Sequence, residues 1–259
     1  MDPWQAALQN DVRALRALYD LGMDLGAPDA LGYTPAHQAA RDGHVDILRA
    51  LHEFGGTVRA SLYMPTGPHG YTPAYVAAEV GQISVLQFLH ELGGPDRDSL
   101  HTPCGPHQLT LAHLAAQVGQ TDVLRVLSRF GGAARESLHA YAGPYDFTPA
   151  HVAAYVGQVG VLQTLHSFGG AAGATLYAPV GPEGYTPAHV AAQAGQAGVL
   201  QTLYSLGGAA QASLHAGTGP RGFTPAHIAA LGGQDEILRT LFSFGGAIRA
   251  SLFSAASSS

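Results

Sequence analysis

The feature that most constrains this chain is a copied stretch. Gly184-Tyr-Thr-Pro-Ala-His-Val-Ala-Ala-Gln-Ala-Gly195 recurs in near-identical form, and its threonine falls at Thr34, Thr72, Thr110, Thr148, Thr186 and Thr224, always 38 residues apart. A fixed period of this length means stacked units, each packing only on its neighbours. One unit can be read from local rules. Thr186 is a good N-cap and Pro187 gives up no hydrogen bond at a first helical position, so a helix starts there. Ala191 and Ala192 allow close helix contact, and Gly195 permits the left-handed turn that ends it. Val199, Leu200, Leu203 and Leu206 recur at helical spacing, giving a second helix that stops at Gly207-Gly208.

With these residues in place, Thr-Pro-Ala-His, Ala-Ala, Gly, a Val-Leu-x-x-Leu helix and a closing Gly, the unit resembles the ankyrin repeat. The resemblance covers roughly residues 4 to 246. Tyr75 stands at the His position of one copy and Leu111 at the Pro position of another. The larger departure is the period, since ankyrin units usually run about 33 residues. Only the first spacing, from Ala6, Leu15 and Gly22 to Ala39, Leu48 and Gly55, keeps 33. The expected fold class is an all-α repeat solenoid of helix-turn-helix units with elongated β-hairpin-like arms. Its organisation reads as a capping unit and first link over 1–32, six repeats over 33–246, and an incomplete arm with Ser-rich tail over 247–259.

Each long link follows one plan, as in Ser61-Leu62-Tyr63 then Gly67-Pro68, or Thr175-Leu176-Tyr177 then Gly181-Pro182. The register predicts ordered extended arms or irregular hairpins. The arm ladder Tyr63, His101, His139, Tyr177, His215 and Phe253 is expected to pack within an arm sheet. Tyr33, Tyr71, Leu109, Phe147, Tyr185 and Phe223 form an apolar stripe, expected to be buried under those arms. Ile228, Ile237, Leu238, Leu241 and Phe244 would leave apolar surface on the last unit, which implies a continuing polypeptide, a partner, or head-to-tail self-association.

Composition narrows the function. The formal charge is −6 with 12 arginines and no lysine, which argues against nucleic-acid binding. No apolar run reaches the roughly 18 residues of a membrane span. The single cysteine, Cys104, excludes a disulfide framework and suits an intracellular, cytoplasmic setting. His37, His113, His151, His189 and His227 recur one per unit, and the resemblance implies that they hydrogen-bond across units. His101-Thr-Pro-Cys104-Gly-Pro-His107 has a metal-like spacing but no evident fourth ligand, so no metal and no cofactor is expected. Nor does the chain show a P-loop or paired catalytic carboxylates, and His52-Glu53 and His90-Glu91 lack the second His of a zinc-protease helix. No enzyme is expected.

Recognition of a protein partner remains. In ankyrin-like arrays the link tips and first helices line a groove, and positions varying between units there choose the partner. After each Ala-Ala stand Arg41, Glu79, Gln117, Tyr155, Gln193 and Leu231; after each Gly-Pro stand His69, His107, Tyr145, Glu183 and Arg221. A small-ligand, metal or pH sensor using the His-rich arms is the alternative reading, since 14 histidines would charge as pH falls through about 6.5.

Overall fold

A computed structural model describes residues 2–253, all of whose regular elements are helical. The chain divides into two compact units, Met1–Ala115 with Arg125–Ser137, and Ala116–Leu124 with Leu138–Ser259.

In the first unit, the helices Pro3–Leu8, Pro35–Asp42 and Pro73–Val80 pack in sequence. Their contacts are made by small side chains: Ala6, Ala7, Ala39, Ala40, Ala77 and Ala78 are wholly buried. Behind them lie the second helices Val12–Asp20, Val45–Phe54 and Ile83–Leu92, held by fully buried Leu15, Ile47, Leu48, Leu51, Leu86 and Leu89. The second unit repeats the plan with first helices Pro149–Val156, Pro187–Ala194 and Pro225–Leu231, and second helices Val159–Phe168, Ala197–Leu206 and Asp235–Ser243.

The structure changes the reading of the long links. After each second helix of the 38-residue units comes a third, at Gly56–Ala60, Gly94–Asp98, Gly132–Glu136, Gly170–Ala174, Gly208–Ala212 and Gly246–Ser251. The first link, of ordinary 33-residue spacing, goes from Asp20 to Pro35 without one. The extra five residues are therefore spent on a helix, not on an extended arm. A Gly-Gly pair makes the junction. Gly55 sits at φ 72, ψ −166 and Gly56 at φ 53, and nothing lies within 4 Å of a Cβ built on either. The requirement at Gly55 is thus one of backbone conformation, in a region that essentially only glycine occupies.

The recurring Ser-Leu closes this helix. Ser61 Oγ donates to the Val58 carbonyl (2.6 Å), and Ser99, Ser137, Thr175, Ser213 and Ser251 do the same three residues back. The next residue is the anchor: Leu62, Leu100, Leu138, Leu176 and Leu214 are fully buried. Only then does the chain form a hairpin, with a single antiparallel bridge at Thr66↔Tyr71, Cys104↔Leu109, Ala142↔Phe147, Val180↔Tyr185 and Thr218↔Phe223. One bridge is too little for a sheet, so the arm ladder has no sheet to pack in. Tyr63, His101, His139 and His215 are half-buried at the ends of third helices, while Tyr177 and Phe253 are exposed.

One further expectation is corrected and another only in part, since Phe242 on the last repeat stays 43% exposed. The third helix packs on the second helix, not over the aromatic stripe, and all six stripe residues are half-buried. In the last repeat, Ile237 and Leu241 are fully buried, Ile228 is buried, and Leu238 and Phe244 are half-buried. The cause is the same short helix: Gly246–Ser251 lays buried Ile248 against Asp235–Ser243, where the sequence reading placed an incomplete arm. The remainder of that tail, 254–259, lies outside the described residues.

Candidate functional site

Each candidate side chain is placed by a buried polar frame. His37 shows how. Its Nδ1 accepts from the Thr34 hydroxyl (2.8 Å) and lies 3.3 Å from the Thr34 amide, so the ring proton sits on Nε2, which donates to the Tyr71 carbonyl of the next repeat (3.0 Å). His151 Nε2 bonds Tyr185 O at 3.1 Å, and His189 Nε2 bonds Phe223 O at 2.9 Å. Each imidazole thus ties a helix start to the neighbouring hairpin. Burial lowers the pKa of His37, and takes that of His189 to about 4 despite the bond to Phe223, so both rings stay neutral.

The exceptions keep the same geometry with other chemistry. Trp4 occupies the corresponding place in the first repeat, and its indole N–H donates to Tyr33 O (2.9 Å). Tyr75 replaces His and stacks on Tyr71, ring centres 4.2 Å apart. Where the imidazole is present, Thr66 and Thr218 of the following hairpin approach His37 and His189 Nε2 at 3.2 and 3.3 Å. Opposite Tyr75 the same hairpin position is Cys104, a buried free thiol whose pKa burial pushes up to about 11. This explains the metal-like spacing at His101, Cys104 and His107: the cysteine faces inward against Thr72 while His107 is exposed at the tip. Among the described residues, no three His, Cys, Asp or Glu side chains converge as a metal set.

A glutamine ladder, missed in the sequence, fixes the first-helix ends. Gln82 Nε2 donates to Arg41 O (2.9 Å), Gln158 to Gln117 O (3.3 Å), Gln196 to Tyr155 O (3.2 Å) and Gln234 to Gln193 O (3.4 Å). Each bond links one repeat to the backbone of a variable residue. The glycine beside it is needed twice over. Gly157 has φ +87, and a Cβ on it would come 2.5 Å from Gln196 Oε1. The signal was available, because Gln82, Gln120, Gln158, Gln196 and Gln234 recur at the same period, each directly after a Gly.

On this frame all eleven variable residues are exposed: Arg41, Glu79, His69 and His107 in the first unit, and Gln117, Tyr155, Gln193, Leu231, Tyr145, Glu183 and Arg221 in the second. The two sets differ. The first is polar, whereas the second carries large apolar groups in water, with Tyr145 68% exposed, Tyr155 57% and Leu231 74%.

The fold is that of a helical repeat solenoid, and in each unit the varying residues stand at hairpin tips and first-helix ends, its variable face. A family model for ankyrin repeats (3 copies) matches residues 4–100 and 151–251, and the chain belongs to the ankyrin repeat family. It is 35% identical over 60 residues to the human ankyrin repeat domain-containing protein 39, a match spanning 23% of this chain and 33% of that protein. The crystal structure of the human ASB11 ankyrin repeat domain superposes with a TM-score of 0.64 at 20% identity, over 95% of this chain and 98% of that one. Among the described residues no helix is long and apolar enough to cross a membrane.

Proposed function

We propose that this chain is a non-enzymatic scaffold that binds a protein partner through the variable face described above. Ankyrin repeats are generally protein–protein interaction modules, and one observation of this chain supports a selective surface. The eleven positions whose chemistry changes between repeats are exposed, while the threonine, imidazole and alanine groups that hold them are largely buried. A frame with its hydrogen bonds already made costs little ordering entropy on association. Tyr145, Tyr155 and Leu231 are the natural anchors, since large side chains that leave water on binding supply most interface energy. The reduced, buried Cys104 fits work inside the cell, in the cytoplasm.

The test is capture with two baits from native lysate: this chain, and one carrying Tyr145→Ala, Tyr155→Ala, Gln193→Ala and Glu183→Ala. Amine cross-linkers have no lysine to attack, so a light-activated reagent is required. The four side chains are exposed, and far-UV circular dichroism of the two baits should coincide. The expected result is a partner held by the first bait and lost by the second. Equal capture by both would refute this face as the binding surface.

A further inference from the structure

The hairpins bridged at Ala142↔Phe147 and Val180↔Tyr185 are neighbours: a Cβ built on Gly181 would lie 3.8 Å from the Tyr145 carbonyl oxygen. They bound an open cleft of about 500 Å³ lined by Tyr141, Asp146, Pro179, Val180, Gly181 and Gly184. Its lining residues include Tyr141, 61% exposed, the exposed Asp146 and the buried Val180.

Two features mark Asp146. It holds φ 51, in the left-handed region, as Gln108 does at the preceding tip, where the three other hairpin tips have Gly70, Gly184 and Gly222. Aspartate tolerates that conformation better than most residues, but glycine would adopt it without steric cost. The second oddity is in the charge pattern. Between Arg135 and Arg221 the sequence has no arginine or lysine, and its acidic residues are Glu136, Asp146 and Glu183. Across the helices and hairpins from Ser137 to Pro220, formal negative charge therefore appears only at two tips, and one of them borders the cleft.

We propose that this cleft receives a cationic side chain, an arginine or a lysine, of the partner protein; the inference rests on the protein-binding reading above. An exposed tyrosine and an exposed aspartate on one opening favour a cation through two effects, the ring quadrupole and a charge-assisted hydrogen bond. An apolar group would desolvate Asp146 without compensation, and an acidic one would be repelled. The repeat has room for such a pairing. Arg221 stands at the register position of Tyr145 two repeats on, and its guanidinium carbon lies 5.8 Å from the Phe223 ring centre.

The experiment uses the full chain with ring-labelled tyrosine, titrated by NMR with acetyl-Gly-Arg-Gly-amide, its lysine counterpart, and the neutral citrulline isostere. The expected result is a saturable shift of the Tyr141 ring signal with the arginine or lysine peptide, and at least about tenfold weaker binding of citrulline. Asp146→Asn should abolish that preference. Asp146→Gly, which installs the residue of three other tips, should do the same while keeping the fold. A citrulline peptide that binds equally, a preference that survives Asp146→Asn, or no shift with either cation would overturn the inference. Partner capture unchanged by Asp146→Asn, alongside failed peptide binding, would overturn it while leaving the protein-binding reading intact.

Discussion

Asp96 offers the sharpest test of how the third helix is held. The equivalent positions of the other third helices are Val58, Ala134, Ala172, Ala210 and Ile248, and the Asp96 side chain is 0% exposed. One carboxylate oxygen lies 3.2 Å from Arg59 Nη2; the other has no hydrogen-bond partner. Arg59 is itself 40% exposed, so water screens its attraction. Desolvating a carboxylate costs several kcal/mol, and one screened partner with one empty oxygen offsets only part of that. Asp96→Val should therefore stabilise the protein, by about 1 kcal/mol, because it removes the unpaired oxygen and keeps the volume. Arg59→Ala should destabilise by about 2 kcal/mol, since it strands the buried charge. The double variant should behave like Asp96→Val alone, because Arg59 then has nothing to neutralise. Urea unfolding followed by circular dichroism measures all three, with thermal midpoints moving by about 2–4 °C per kcal/mol for a chain of this size. A destabilised Asp96→Val, or a neutral Arg59→Ala, would refute the reasoning.

Two further outcomes follow from the same geometry. His189 is neutral when folded, with its pKa at about 4, but has an ordinary value near 6.5 when unfolded, so the unfolded chain binds the extra proton in that window. Stability should be unaffected above about pH 6.5 and should fall as pH drops toward 4. The loss from this residue is about 2 kcal/mol at pH 5. A His189 ring signal titrating near 6.5 by NMR would contradict this. Leu176→Ala should cost about 2–5 kcal/mol, because the side chain is fully buried. Tyr177→Ala, next to it but 42% exposed, should cost under about 1 kcal/mol; similar losses in urea melts would restore the tyrosine to a packing role.

Local rules carried the repeat a long way. Thr-Pro at a helix start, Ala-Ala at a contact and Gly at a left-handed cap are requirements of backbone and close approach, so residue type alone reports them. The same holds for the eleven variable positions, whose exposure follows from their place on the unit. The destination of the extra five residues was not legible, because Gly-Gly reads equally as the end of one helix or the hinge into another. What decided it was tertiary: the third helix packs on the second, Leu176 and its equivalents are fully buried at its close, and that burial stabilises a turn of helix too short to stand alone. Burial also decided the histidines. His37 and His189, two of the framework imidazoles, lie in water-poor sites with both nitrogens engaged, and they stay uncharged at neutral pH. The cleft at Tyr141 and Asp146 lay furthest from the sequence. Tyr141 and Asp146 share one hairpin, and only the packing of the next hairpin, with Pro179 and Val180, beside it makes a cleft at them.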